Sequence, residues 1–242
     1  MRILMINGSP KKKGGASRFL SKVMRVLLKG HEVIVENLCT PADFNRIMEK
    51  LSSCETVILS APLYVDAMPS HVLAFLHKAE SYCIEHQTHF KLYAISNNGF
   101  IEGKQNRIHL QMYQCWCERS GNEWGGGIGI GGGVMLHVIS IVYPIVLVVK
   151  TLLILLSGSI SLQPFQDILI NLLTWLFLES GVIYCMLSLA GTVRHKGSMK
   201  DKFTRVMLPS FLFIFIADIF MFISGLLNGR FVFTLLKKDK VQ

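Results

Sequence analysis

From residue 134 onward the chain has no polar stripe with which a helix could face water. The run "VMLHVISIVYPIVLVVKTLLILLSG" (134–158) offers little beyond His137, Ser140 and Lys150. A helix packed on one face of a sheet keeps a polar outer side, whereas a segment crossing the core of a bilayer needs about 20 apolar residues. The second requirement is met here, and again at 168–191 and 206–227. Burial inside a larger soluble core is the competing reading, but it would have to enclose all three runs at once. The chain is therefore expected to end in an α-helical membrane region, 134–242, with two to three transmembrane helices at 134–158, 168–191 and 206–227.

Charge gives these runs a direction. The connection 192–205 carries Arg194, Lys196, Lys200, Lys202 and Arg205, whereas 159–167 has neither Lys nor Arg. Basic connections stay on the cytoplasmic side, which places the first connection outside and the second inside. The protein is expected at the cell membrane with its N-terminal part cytoplasmic, since "MRILMING" is too short an apolar run for a signal peptide. Three spans put the tail, with Arg230, Lys237, Lys238 and Lys240, on the disfavoured side. A re-entrant third run or a peripheral first helix therefore stays open. Glu179 and Asp218 each interrupt an apolar run. A carboxylate in lipid is costly and by default suggests a function such as a proton path or a polar contact between helices; the alternative, that each is protonated or paired within the bundle, is favoured because no histidine or second carboxylate shares its face.

Residues 1–133 follow other rules. They hold 15 Lys/Arg and 11 Asp/Glu, against 10 and 5 in the remainder, and polar and apolar blocks alternate as in a soluble domain. The glycine tract "WGGGIGIGGG" (124–133) marks the boundary. "RILMIN" (2–7), "HEVIVENL" (31–38), "ETVILSAP" (55–62), "KLYAISNNG" (91–99) and "EWGGGIGIGG" (123–132) read as strands. Helical spacing of apolar residues falls between them, at 17–28, 41–54, 69–86 and 104–120. Strand and helix in alternation predict an α/β fold, a doubly wound five-stranded parallel sheet. The six cysteines show no C-x-x-C pair and read as scattered reduced thiols.

In such sheets ligands bind in the loops after the strands' carboxyl ends, here 8–17, 62–69 and 96–103. The first, in "NGSPKKKGGASRFL", fits neither G-x-x-x-x-G-K-[ST] nor G-x-G-x-x-G. It keeps hydroxyls at Ser9 and Ser17, freed amides at Gly14 and Gly15, and a helix start, which suits a single terminal phosphate. A solvated basic loop capped by Ser17 is the alternative. In the second loop Leu63, Tyr64 and Val65 are large and apolar where polar turn residues are usual, forming a shelf for a flat ring unless they bury under a neighbour. The third supplies Asn97, Asn98 and Gly99, either amide edge-readers or an ordinary turn. Taken together they describe a site for a mononucleotide with a flat ring system, flavin mononucleotide (FMN).

"NGSPKKKGGASRFL", "APLYVDAMPSHVLAFL" and "NNGFIEGKQNRIHLQMYQCWCERSGNEWGGGIGIGGG" together resemble the flavodoxin-like NAD(P)H-dependent FMN reductases over roughly 1–136. The resemblance implies a flavodoxin-like five-stranded sheet, noncovalent FMN, and NADH or NADPH as the hydride donor. Carried over by position, Ser9, Lys11 and Ser17 would hold the phosphate. Pro62, Leu63 and Tyr64 would line the ring, with Asn97, Asn98 and Gly99 on its other side. The cysteine ligands of related iron–sulfur flavoproteins have no counterpart, so no metal or cluster is expected. No side chain is assigned acid–base catalysis; His71 and His109 are read as helix-surface histidines.

The expected function is a membrane-anchored oxidoreductase passing hydride from NAD(P)H through FMN to a small acceptor such as a quinone or flavin. The alternatives are a flavodoxin-like electron carrier or an FMN-binding sensor module without nicotinamide turnover. Expected partners are the small-molecule acceptor, the membrane and, by resemblance, a second copy in a homodimer; no nucleic acid is expected.

Overall fold

Five of the expected strands form, at Arg2–Asn7 (β1), Glu32–Asn37 (β2), Thr56–Pro62 (β3), Lys91–Asn97 (β4) and Glu123–Gly131 (β5). The computed structural model describes residues 1–11, 14–64, 67–157 and 162–227. A sixth strand, Lys202–Arg205 (β6), pairs parallel to β5, so the sheet has six strands rather than five, in the order β2-β1-β3-β4-β5-β6. "KFTR" carries one apolar residue in four and sits inside the basic connection, so nothing local marks it as a strand. Only pairing with β5 makes it one.

Helices Ala16–Leu27 (α1), Phe44–Leu51 (α2), Ser70–Glu85 (α3) and Arg107–Ser120 (α4) follow the first four strands, with short 3-10 turns at Pro41–Asp43 and Gly103–Asn106. Strands buried on both sides need apolar residues throughout, and β3 is buried along its whole length. On one face Leu4, Leu59, Leu92 and Ala94 meet α2, α3 and α4 through Phe44, Phe75, Leu110 and Trp116. The opposite face is covered by α1 and by residues beyond 133.

The glycine tract is explained by this packing. A Cβ on Gly127 would stand 2.8 Å from Leu110, and one on Gly129 would stand 2.7 Å from Phe203 and 2.9 Å from Asn106. Alternate glycines along β5 thus let α4 and the 103–106 turn approach its backbone, while Ile128 and Ile130 fill the other face and are fully buried.

Two long helices follow, Gly133–Ser157 (α5) and Leu162–Arg194 (α6). Among the described residues of α5 the buried ones lie in its first turns, Met135, Leu136 and Ile139 included. The last half of α6 lies on the sheet, burying Val182, Cys185, Met186, Leu189 and Val193. The chain divides into two compact units, Met1–Met207 and Leu208–Gln242. The boundary expected at 133 therefore falls inside the first unit. The second contains helix Ser210–Leu227 (α7). Among the described residues two windows are long and apolar enough to cross a membrane, Gly133–Ile154 and Gln166–Arg194; Ser210–Ile223 is a shorter apolar stretch. The tail with Arg230, Lys237, Lys238 and Lys240 lies outside the described residues.

Candidate functional site

The sheet order reverses direction between β1 and β3, and a doubly wound sheet binds its ligand at that switch point, outside the strands' carboxyl ends. The loops after β1, β3 and β4 meet there. Gly8 sets the first close approach: its amide donates to the Ser60 carbonyl at 2.8 Å, and a Cβ on it would be 2.9 Å from Val72 of α3. His71, also on α3, places Nε2 3.1 Å from the Gly8 carbonyl.

Gly14 and Gly15 take positive φ, 71° and 90°, the left-handed region where side chains are strained. They turn the chain directly into α1, whose N-cap is Gly15, with no side-chain cap. The first-turn amides of a helix have no intrahelical partner, and Ser9 and Lys11 lie close to the Gly15 that opens this one. Ser9 is buried, its Oγ accepting from the Lys11 amide at 3.4 Å. A Cβ on Gly15 would lie 3.7 Å from that Oγ and 3.8 Å from Lys11. Lys11 is exposed at the surface of this turn. Within the first turn of α1, Arg18 Nε is buried without a partner among the described residues. A positive helix end, its first-turn amides and the Ser9 hydroxyl lie together here with Lys11 close by, a set that suits an anion.

Ser17 is placed differently from Ser9. Its hydroxyl donates to Asn97 Oδ1 at 2.7 Å, with both residues buried, and its carbonyl accepts from Ser60 Oγ at 3.1 Å. These bonds tie α1 to β3 and β4 under the loops. Pro62 and Leu63 are also buried, and the Leu63 amide donates to the Asn97 carbonyl at 2.8 Å. Tyr64 is 45% exposed and makes a reciprocal backbone pair with Ala67, at 2.9 and 3.0 Å, closing a narrow turn. Of the ring-shelf residues, only Tyr64 presents its side chain at the surface. Val65 lies outside the described residues, as do Lys12 and Lys13.

Across the crevice, the Asn98 amide donates to Ile130 O at 3.0 Å, and its carbonyl accepts from Gly133 N at 2.7 Å. Its side-chain Nδ2 donates to Glu102 O at 3.1 Å, leaving a buried Oδ1 without a partner among the described residues. Gly99 is exposed, with open space around it.

His109, expected on a helix surface, is instead fully buried beneath this loop. Asn106 Oδ1 can only accept, so the Ser96 hydroxyl donates to it at 2.7 Å. His109 Nδ1–H must then donate to Ser96 Oγ, and Nε2 accepts from the Tyr113 hydroxyl, both at 2.7 Å. Burial holds the imidazole neutral by pushing its pKa down to about 4. This chain fixes the end of β4. Its one sequence signal is polar residues at apolar positions, Ser96 in a strand and His109 with Tyr113 four apart on a helix. Cys117 is also buried, and burial raises its thiol to about 12, an inert core thiol.

No protein-family model matches the chain, and no curated protein matches it. Among solved structures it is similar to the Trp repressor binding protein from Bacillus subtilis, at 18% identity and TM-score 0.43, over 52% of this chain and 85% of that one. It is also similar to an NADPH-quinone reductase from P. pentosaceus, at 11% and 0.46, over 55% and 86%. A third is flavodoxin 1 from Bacillus cereus, at 12% and 0.40, over 54% and 84%. The strand order, rather than these likenesses, fixes the fold class. Its first five strands run 2-1-3-4-5, the flavodoxin-like arrangement.

Proposed function

We infer that the protein is a membrane-anchored flavoprotein oxidoreductase, taking hydride from NADH or NADPH and delivering it through FMN to a small acceptor. The observation that carries the reading is the crevice at the β1/β3 switch point. It opens on an uncapped helix start behind two left-handed glycines, with partnerless polar atoms on Arg18 and Asn98. These residues fit FMN. Ser9, Lys11, Arg18 and the first-turn amides of α1 would hold its phosphate, and Tyr64 would lie along the ring. The free Oδ1 of Asn98 is suited to accept from a ring N–H. Buried Ser17, Asn97, Pro62 and Leu63 hold the three loops in place rather than presenting side chains to the ligand. When bound, FMN supplies the hydride chemistry, and the protein supplies position and electrostatics. Apolar α5 and α6 supply the anchor.

The test is the absorbance spectrum of protein purified in mild detergent, followed by NADH and NADPH oxidation with added acceptors. Flavin bands released on denaturation, together with turnover, support the reading. Flavin without turnover would leave an electron carrier, and no flavin uptake from added FMN would refute the site.

A further inference from the structure

We propose that the carboxyl edge of the sheet, the edge carrying the candidate site, is the surface seated on the bilayer. The proposal rests on reading α5 and α6 as lipid-embedded and adds the side from which they leave the sheet.

Four contacts set the direction of α6. Its Leu178 carbonyl accepts from Met207 N at 2.8 Å, just past the carboxyl end of β6, and a Cβ on Gly181 would lie 2.3 Å from Thr204 Oγ1. At its other end Arg194 donates to the Leu27 carbonyl, where α1 finishes, and Lys196 pairs with Glu55 just before β3. Residues 178–194 therefore descend from the carboxyl edge to the amino edge, and 162–177 continue beyond the carboxyl edge. Helix α5 starts at that same edge, beside Asn98, and Ser140 Oγ donates to Glu179 Oε1 at 2.7 Å. The two helices are thus an antiparallel hairpin whose outer arms, 141–157 and 162–178, project past the loops of the site.

Each arm is about 25 Å long at 1.5 Å per residue, close to the roughly 30 Å of a bilayer's hydrocarbon core. Leu152, Leu153, Leu156, Ile170, Leu173 and Phe177 are exposed on it. Lys150 and Asp167 are the charged residues in these arms. The Ser140–Glu179 register sets them at nearly the same depth. At the foot of the hairpin the edge is itself apolar, with Tyr64, Phe100, Val134 and Met207 each between 44% and 50% exposed. Around them stand exposed Lys11, Lys104 and Arg107, with Glu102 as counter-charge. The amino edge holds the ion pairs Arg2–Glu32, Lys91–Glu123 and Lys196–Glu55 together with exposed Lys29, Arg194 and Lys200, so the direction of the hairpin, rather than charge, chooses between the edges. An apolar rim flanked by cations fits the headgroup layer of an anionic leaflet.

Single cysteines carrying a fluorophore test this in the full-length chain, with Cys39 and Cys115 changed to serine. The labels go on Leu156→Cys in the hairpin, Phe100→Cys at the carboxyl edge and Lys29→Cys in the turn after α1. The protein is reconstituted in phosphatidylcholine–phosphatidylglycerol vesicles bearing nitroxide on either acyl chain or headgroup. Acyl nitroxide should quench Leu156→Cys and headgroup nitroxide Phe100→Cys, with Lys29→Cys unquenched by both. Quenching at Lys29→Cys equal to that at Phe100→Cys, or none at Phe100→Cys, overturns the orientation. No quenching at Leu156→Cys overturns the embedded hairpin beneath it. Lys104→Cys is a second edge position should Phe100→Cys fail to fold. The readout is proximity to lipid, so a protein without flavin still decides it, and loss of the flavin reading is seen separately in the absorbance spectrum.

Discussion

Ser9 and Ser17 look alike in sequence and part company in the structure. The Ser17 hydroxyl belongs to Asn97. Ser17→Ala leaves a buried amide oxygen unpaired, which costs roughly 1–3 kcal/mol of stability. On the proposed function, Ser9→Ala removes a hydroxyl from the turn before α1 and should weaken FMN binding by about tenfold, with little change in melting temperature. Titrating FMN fluorescence against each variant, beside thermal melts, separates the two roles. His109 gives a pH signature. Its pKa falls to about 4 on burial, below the ordinary value near 6.5, so the folded state holds it neutral while the unfolded chain takes up the proton. Its contribution, on the order of 3 kcal/mol, is complete above the unfolded value and lost as pH drops from about 6.5 toward 4. Melts between pH 7 and pH 4.5 should show this slope, and His109→Leu should flatten it while lowering stability at pH 7.

At the scale of elements, β5 and β6 depend on missing side chains. A Cβ on Gly103 would sit 2.1 Å from the Thr204 carbonyl and 2.7 Å from that of Gly129. Both are backbone atoms of strands that cannot move apart without breaking their ladder. Gly103→Ala should therefore cost more than about 3 kcal/mol, at the high end for a single substitution. Gly191, inside α6 with open space around it, is the contrast: Gly191→Ala should stabilise by up to about 1 kcal/mol through helix propensity. Denaturant unfolding in detergent distinguishes the two signs. Alternation of strand and helix was legible through β5 because each element carries its own hydrophobic period. β6 was not, since its four residues gain a role only beside Ile128–Gly131. The split character of α6 was hidden too. One unbroken apolar helix serves the sheet with its last half and leaves its first half exposed, and hydropathy reads both halves alike.

For the whole molecule, the consequence is that a chain cut at 133 loses β6, the buried half of α6 and the first turns of α5. It should aggregate. Joining Ser140 to Leu178 through a short glycine–serine turn removes the hairpin arms alone; the Ser140–Glu179 bond shows that the ends are close. That protein should be released from membranes more readily, keep FMN binding, and reduce a water-soluble acceptor. Against a long-chain quinone in vesicles it should be slower than the full-length chain. Flotation and steady-state assays measure both, and equal rates with the vesicle quinone would detach the hairpin from acceptor delivery. The sequence alone determined the α/β class, the positions of the three loops at the strands' carboxyl ends, and where the long apolar segments fall. Those follow from local period, turn chemistry and hydropathy, which each stretch carries with it. Tertiary structure decided which serine spends its hydroxyl on Asn97, that a basic connection supplies a strand, and that the apolar hairpin leaves from the carboxyl edge of the sheet. Those depend on which distant residues meet, and no local pattern encodes a partner as far off as the 80 positions between Ser17 and Asn97.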